Sequence, residues 1–210
     1  ADGSYRYIAN QDAADALAAS QTANDVFVYT LSDGTESTTA NITITVIGIN
    51  ETPTAQNDEG VIYEGDTLIV ANNSDANVSG SYDASGEHSG DVIDTSSSSH
   101  TDSDADASAS LSITHIKLSG GSNSTVASSS SYNSNGTQIV GTYGTLTIGA
   151  DGSYTYAATT AAADALDTGE EGTDTFVYTL SDGTDIATAN LTIKVLVNKG
   201  MSIFLDWGFA

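Results

Sequence analysis

Apolar and polar residues alternate with a period of two along several short stretches of the chain. This is the pattern of half-buried β-strands, whose successive side chains point to opposite faces. Phe27, Tyr29 and Leu31 share one face and Val26, Val28 and Thr30 the other, and Ile42, Ile44 and Val46 alternate with Thr43 and Thr45. Phe176, Tyr178 and Leu180, then Leu191, Ile193 and Val195, repeat the pattern further on. Leu146 and Ile148, an Ala150-Asp151-Gly152 turn, and Tyr154 and Tyr156 predict a hairpin. Leu111 and Ile113 are out of phase with Ile116 and Leu118, which predicts a β-bulge near Thr114 and His115. Helix signals are confined to the Ala-rich stretches 12–19 and 161–167, long enough for a helical turn or two. Many short strands separated by Gly, Asp and Ser turns predict an all-β sandwich.

The early pattern returns late in the chain. Ala-Asp-Gly-Ser-Tyr at 1–5 recurs at 150–154, DVFVYTLSDGT at 25–35 recurs as DTFVYTLSDGT at 174–184, and Thr39-Ala40-Asn41 recurs as Thr188-Ala189-Asn190. The offset is 149 residues throughout, without a gap, and more than half of the aligned positions are identical. The organisation expected is the C-terminal part of one repeat (1–49), a linker (50–57), a complete repeat (58–198), and the start of a following segment (199–210). Repeats in unbroken register imply a tandem array. Within the complete repeat, 72–110 is rich in Ser, Asp, Ala and Gly and 119–135 in Ser and Asn; both are expected to be long loop insertions.

Charge changes this picture most. The 210 residues carry 28 Asp and Glu against 4 Lys and Arg, a net charge of −24. So acidic a surface disfavours nucleic acid and anionic membrane as partners and favours divalent cations, whose binding would relieve self-repulsion. No cysteine is present, which removes disulfides and Cys-ligated zinc together and suits a secreted bacterial protein stiffened by calcium, although a cytosolic chain can also lack Cys. No apolar run approaches the ~20 residues that span a bilayer, and no signal peptide opens the sequence, so the chain reads as a fragment of a longer protein.

Calcium takes six to eight oxygen ligands from carboxylates, carbonyls and Asn side chains. Alternate residues of an extended segment face one way, so Asp102, Asp104 and Asp106 are expected to converge their carboxylates. The alternative is a solvated acidic loop. The linker supplies Asn50, Glu51, Asn57 and Asp58 around Pro53, where an ion would fix the angle between neighbouring domains; otherwise it is a polar hinge. Asp33 and its copy Asp182 sit in Ser-Asp-Gly-Thr turns and are either turn-formers or turn-formers that also face the linker. Glu64 and Asp66, just after the linker, are candidates to complete such a site, and Asp25 and Asp174 are weaker ones.

Catalytic constellations are hard to assemble. His88 and His100 fall in low-complexity loops and His115 at the suspected bulge, so each is expected to be solvent-exposed. Ser and Asp are so abundant that a Ser/His/Asp match carries no information. A glycosidase carboxylate pair needs an aromatic-lined cleft, whereas aromatics are 7% and Trp207 is alone. No helix follows Gly120-Gly121 to make a phosphate loop.

These segments resemble a known family. Residues 143–148, 150–156 and 174–184, the linker 48–53, and 64–68 are similar to the VCBS-type, cadherin-like tandem repeat of large secreted bacterial adhesins, as in RTX adhesins. Gly90-Asp91-Val92-Ile93 followed by 101–106 resembles that family's Asp-rich turn, although Ala107 and Ser108 stand where Gly and Asp are usual. The resemblance implies an immunoglobulin-like or cadherin-like antiparallel β-sandwich in tandem, export to the cell surface, calcium binding, and roles in adhesion or biofilm. Three non-catalytic functions remain in view. The chain is a calcium-binding spacer that contacts neighbouring repeats of its own chain; or a filament or biofilm-matrix subunit joined to other copies by strand complementation; or a carbohydrate-binding accessory domain for surface glycans. Calcium affinity is expected near 10⁻⁴ to 10⁻³ M, as in other extracellular modules.

Overall fold

The computed structural model describes residues 2–71, 78–80, 89–93 and 100–197, with 78–80 described for the backbone alone. His88, Trp207 and the segment 199–210 lie outside the described residues. Apart from a four-residue helix, α1 (Asp12–Asp15), the regular structure of the described residues is β. The described residues form two compact units: those of 2–54, 103–111 and 181–187, and those of 55–102, 112–180 and 188–197. These units cut across the repeat boundaries, because the linker start, the Asp-rich turn and the 182–185 turn all join the first.

In the first unit, β1 (Thr22–Ser32) and β2 (Ser37–Ile47) form an antiparallel hairpin in unbroken register from Thr22 opposite Ile47 to Ser32 opposite Ser37. The turn between them is fixed by Asp33, whose Oδ1 accepts the N–H groups of Thr35 and Glu36 at 2.8 Å each. Gly34 supplies the positive φ of 95° that this turn requires.

Among the described residues the second unit holds two five-stranded sheets. One runs β5 (Val78–Gly80), β4 (Thr67–Val70), β10 (Tyr154–Ala157), β9 (Thr145–Ile148), β8 (Thr137–Val140). The other runs β3 (Asp58–Tyr63), β12 (Ile186–Leu196), β11 (Glu171–Ser181), β6 (Ser112–Leu118), β7 (Ser124–Thr125). The strands β11 and β12 lie 149 residues after β1 and β2 to the residue, so the sequence repeat is also a repeat of elements. The predicted 146–156 hairpin forms, with Ile148 opposite Tyr154 and Leu146 opposite Tyr156. Ile113 and Ile116 are both buried although three apart, so strict alternation breaks between them where the bulge was expected.

Two expectations change. The sheets are not purely antiparallel: β3 lies parallel to β12, Asp58 opposite Leu191 through to Tyr63 opposite Leu196. Nor are the Ser-rich stretches only loop. They contain β5 and β7, and residues 89–93 are buried, because the Ser89 N–H donates to the Glu59 carbonyl (2.9 Å) and the Val92 N–H to that of Gly152 (3.1 Å).

The core of the second unit draws on both sheets. Leu68, Val70, Leu146, Ile148, Tyr154 and Tyr156 from one are fully buried, as are Ile62, Ile116, Phe176, Tyr178, Leu191 and Ile193 from the other. The rings of Tyr156 and Phe176 meet edge to face at 6.2 Å, which joins the two faces. At roughly 1.5–3 kcal/mol for each large apolar side chain buried, these residues dominate the unit's stability. Gly152 closes the 148–154 turn at φ 88°, and a Cβ there would meet the Ile93 N and Cγ1 at 2.9 Å. Gly152→Ala is therefore expected to lower stability by about 1–3 kcal/mol, measured by urea unfolding, through both backbone strain and displacement of 92–93.

Candidate functional site

Two groups of acidic side chains are gathered, one in each unit. In the first, the linker residue Asn50 places its Nδ2 2.9 Å from each of the Glu51 carbonyl, Asp182 Oδ2 and Asp185 Oδ2. An amide nitrogen has two hydrogens, so three acceptors oversubscribe it and two carboxylates converge on one donor. The Glu51 N–H faces Asp106 Oδ2 at 3.4 Å, and the Asp106 N–H donates to Asp104 Oδ1 at 2.8 Å. Three buried oxygens here, Glu51 Oε2, Asp104 Oδ2 and Asp106 Oδ1, have no hydrogen-bond partner among the described residues. Burial of its carboxyl holds Glu51 above its ordinary pKa, and the charge of Asp106, a side-chain hydrogen bond with the same Asp106, and the charges of Asp15 and Asp104 push the same way. Asp182 is held below its own: slight burial opposes the shift, but the Thr184 N–H, the Asn50 amide and the Asp185 N–H outweigh it.

In the second unit, Asp58 opens β3 and is buried, as are Asp91 and Asp102. Asp102 Oδ1 accepts the Gln56 N–H at 2.8 Å. The Tyr178 hydroxyl lies 2.8 Å from Asp58 Oδ2 and 2.5 Å from the Gln56 carbonyl. It has one proton for two acceptors. A protonated Asp58 resolves this, donating to the tyrosine oxygen while the tyrosine donates to the carbonyl. The electrostatics agree. Burial first, then the charges of Asp102 and Asp91, raise the Asp58 pKa to about 8 against the opposing hydrogen bonds of Tyr178 and Ser89. Asp58 Oδ1 and the fully buried Tyr154 hydroxyl have no hydrogen-bond partner among the described residues. Burial raises the Tyr154 pKa as well, with Asp58 and Asp91 adding to it.

No described Lys or Arg pairs with Asp58, Glu51, Asp104 or Asp106; an ion pair among the described residues joins Lys194 to Glu171 at 3.5 Å. Among the described residues, no three His, Asp or Glu side chains are grouped so that they could hold a metal ion as they stand. The alternation at 102–106 is as expected, with Asp102 and Asp106 buried and Asp104 half-buried while Ser103 and Ala105 face out. Their partners differ: Asp102 belongs with the second unit, Asp104 and Asp106 with Glu51 in the first.

The remaining candidates take other roles. Asp182 is a turn-former whose second oxygen faces the linker through Asn50, whereas Asp33 makes its turn alone, exposed. Asn57 pins β12, its Oδ1 accepting the Asn190 N–H at 3.0 Å. Glu64 and Asp66 follow β3, a six-residue strand away from Asp58, and do not join it. At about 3.3 Å per residue the extended chain from Asp58 to Glu64 spans roughly 20 Å. His100 is half-buried with its Nδ1 2.6 Å from the Asn57 carbonyl, and His115 is half-buried on β6, so neither is freely exposed.

Asp174 is buried for a different reason. It accepts the N–H groups of Thr142 (2.8 Å), Tyr143 (3.0 Å) and Gly144 (3.2 Å) and the Tyr156 hydroxyl (2.6 Å). It is a latch between β11 and the turn before β9. Sequence reasoning missed this latch because its donors are backbone groups some thirty residues upstream. It also left Asp91, Asp15 and Asp185 out of the candidate ligands. For Asp91 a signal existed, an Asp-Val-Ile run inside a Ser-rich stretch, where apolar residues mark a buried segment.

No family model matches the chain, and no curated protein matches it. Among solved structures it is similar to endo-fucoidan hydrolase MfFcnA4 from glycoside hydrolase family 107, at 19% identity and a TM-score of 0.33. The match covers 88% of this chain and 20% of that one, so the chain spans about a fifth of its length. At that TM-score the likeness carries no argument about activity. No described helix is long and apolar enough to cross a membrane.

Proposed function

We propose that the chain is a non-catalytic, calcium-binding spacer built of immunoglobulin-like sandwich repeats of the VCBS type, from an extracellular bacterial surface protein. The observation that carries this reading is the burial of Asp58 in one unit, and of Asp106 beside Glu51 and Asp104 in the other, with no described cationic side chain paired to them. Isolated buried carboxylates are costly, and proteins neutralise them by protonation, by a basic partner or by a metal. A hard divalent cation suits an all-oxygen donor set, and the orphaned oxygens of Glu51, Asp104, Asp106 and Asp58 are the atoms that would turn to it. Glu51, Asp104 and Asp106, with Asp182 and the Asn50 carbonyl oxygen, would hold an ion in the first unit; Asp58, Asp91 and Asp102 would do so in the second. The ion would supply charge neutralisation. The chain's own residues do the rest: the 102–106 segment and the linker become tied together, and the acidic turn at 182–185 is held to Asn50.

The millimolar calcium of an extracellular setting would fill sites of this kind even at affinities near 10⁻⁴ to 10⁻³ M. Equilibrium dialysis of the full chain at pH 7.5 is expected to retain at least one calcium per chain. In Glu51→Gln/Asp106→Asn the stoichiometry is expected to fall by one while the second-unit site is kept. A chain that retains no calcium above the diffuse screening seen with equal ionic strength of sodium would end this reading.

A further inference from the structure

The two copies of the repeat share their sequence but not their surroundings. Phe176, Tyr178 and Leu180 are 0% exposed, while the identical Phe27, Tyr29 and Leu31 are 50%, 45% and 64% exposed. Tyr154 is likewise 0% exposed and Tyr5 is 66%. Despite this, the first copy is already shaped as the second is. Tyr7 and Phe27 meet edge to face at 6.2 Å and 69°, against 6.2 Å and 68° for Tyr156 and Phe176. The Tyr7 hydroxyl donates to Asp25 at 2.5 Å, as that of Tyr156 does to Asp174 at 2.6 Å. The hairpin β1–β2 is therefore half of a core, formed in its final geometry and uncovered among the described residues.

The second copy states what the cover is. There β3 lies parallel along β12 at Leu191–Leu196, which corresponds to Ile42–Ile47 of β2. There β6 neighbours β11, the counterpart of β1, with the Ser119 N–H donating to the Thr175 carbonyl, the counterpart of Val26. The 142–144 turn there donates three N–H groups to Asp174, the counterpart of Asp25. We propose that the exposed face of β1–β2, with the Tyr7–Asp25 pair, is a docking surface for the first half of a like repeat, a polypeptide segment with the chemistry of residues 58–149. Such a segment lays one strand parallel to Ile42–Ile47, a second beside β1, and a tight turn whose amides close on the Asp25 carboxylate. The folded second unit of another copy is not the occupant. Its own first half is already committed to β11 and β12, and giving it up would uncover as much apolar surface as it covers. The inference does not depend on calcium.

The test compares hydrogen exchange in the full chain with exchange in a chain carrying a second copy of residues 58–149 ahead of Ala1, which reproduces the Gly149–Ala150 junction. Two first halves and two second halves are then present, so every hairpin is covered whichever pairs with which. Amides of 26–31 and 42–47 are expected to gain at least 100-fold in protection, approaching those of 175–180 and 191–196. Adding Ile44→Asp and Val46→Asp is expected to remove that gain while 191–196 stay protected. Unchanged exchange at 42–47 in the extended chain would overturn the proposal. So would sedimentation of the original chain as a dimer with those amides already protected, since the occupant would then be a second hairpin.

Discussion

In a chelating buffer the protein is expected to lose stability as pH rises from 4 to 8, and Asp58→Asn is expected to abolish most of that loss. The sign follows from the buried Asp58, whose pKa is raised from an ordinary 3.8 to about 8. Below pH 4 the group is protonated in both folded and unfolded chains and costs nothing. Between pH 4 and 8 the unfolded chain ionises and the folded one does not, so the unfolded state gains. Four pKa units at about 1.36 kcal/mol each set a ceiling between about 5 and 6 kcal/mol, and partial relaxation of the site makes roughly 3 kcal/mol the expected loss. In a domain of this size that is a fall of about 6–12 °C in Tm. Asn keeps a donor for the Tyr178 oxygen, its Nδ2 standing in for the protonated carboxyl, and has no charge to bury, so the variant is expected to melt higher than the parent at pH 8 in EDTA. The general repulsion of a chain at −24 acts in the same direction, but it survives in the variant and can be subtracted. A parent chain whose Tm is flat from pH 4 to 8 in EDTA would contradict the assignment of Asp58.

The second large effect is Asp174→Ala, expected to cost about 3–5 kcal/mol in urea unfolding. It strands three backbone N–H groups and the Tyr156 hydroxyl inside the core, and removing one partner of a buried network leaves the others with their full desolvation penalty. The chain carries its own control. Asp25→Ala removes the same side chain from the exposed copy, where among the described residues Tyr7 bonds to it and solvent can take its place, and is expected to cost less than about 1 kcal/mol. Equal losses in the two variants would show that burial does not set the worth of this latch.

The strands were legible because their chemistry is local. Alternation located β1, β2, β11 and β12 and the 146–156 hairpin, and the repeat fixed their correspondence. What could not be read is whatever depends on partners far along the chain. Nothing in Asp58–Tyr63 says that it runs parallel to a strand more than a hundred residues later, and that pairing is what turns a linker aspartate into a buried one. The 89–93 segment was hidden by the serines around it. The triplet at 102–106 does alternate as extended backbone must, yet its three carboxylates serve two neighbourhoods, which spacing alone cannot resolve. Most plainly, Phe27 and Phe176 have the same sequence context and opposite burial. Sequence specifies the face a residue presents; what meets that face is decided elsewhere.

The central claim is that buried acid groups in both units are matched by a bound divalent cation. The most direct measurement is the melting temperature of the full chain at pH 8 during a calcium titration from EDTA to 10 mM, with magnesium and sodium at matched ionic strength as controls. One site with a Kd near 10⁻⁴ M stabilises by about 2.7 kcal/mol at a hundredfold excess. The account therefore predicts a saturable rise of roughly 5–10 °C per site for calcium, well above that for either control. A Tm that moves no further with calcium than with sodium would contradict it.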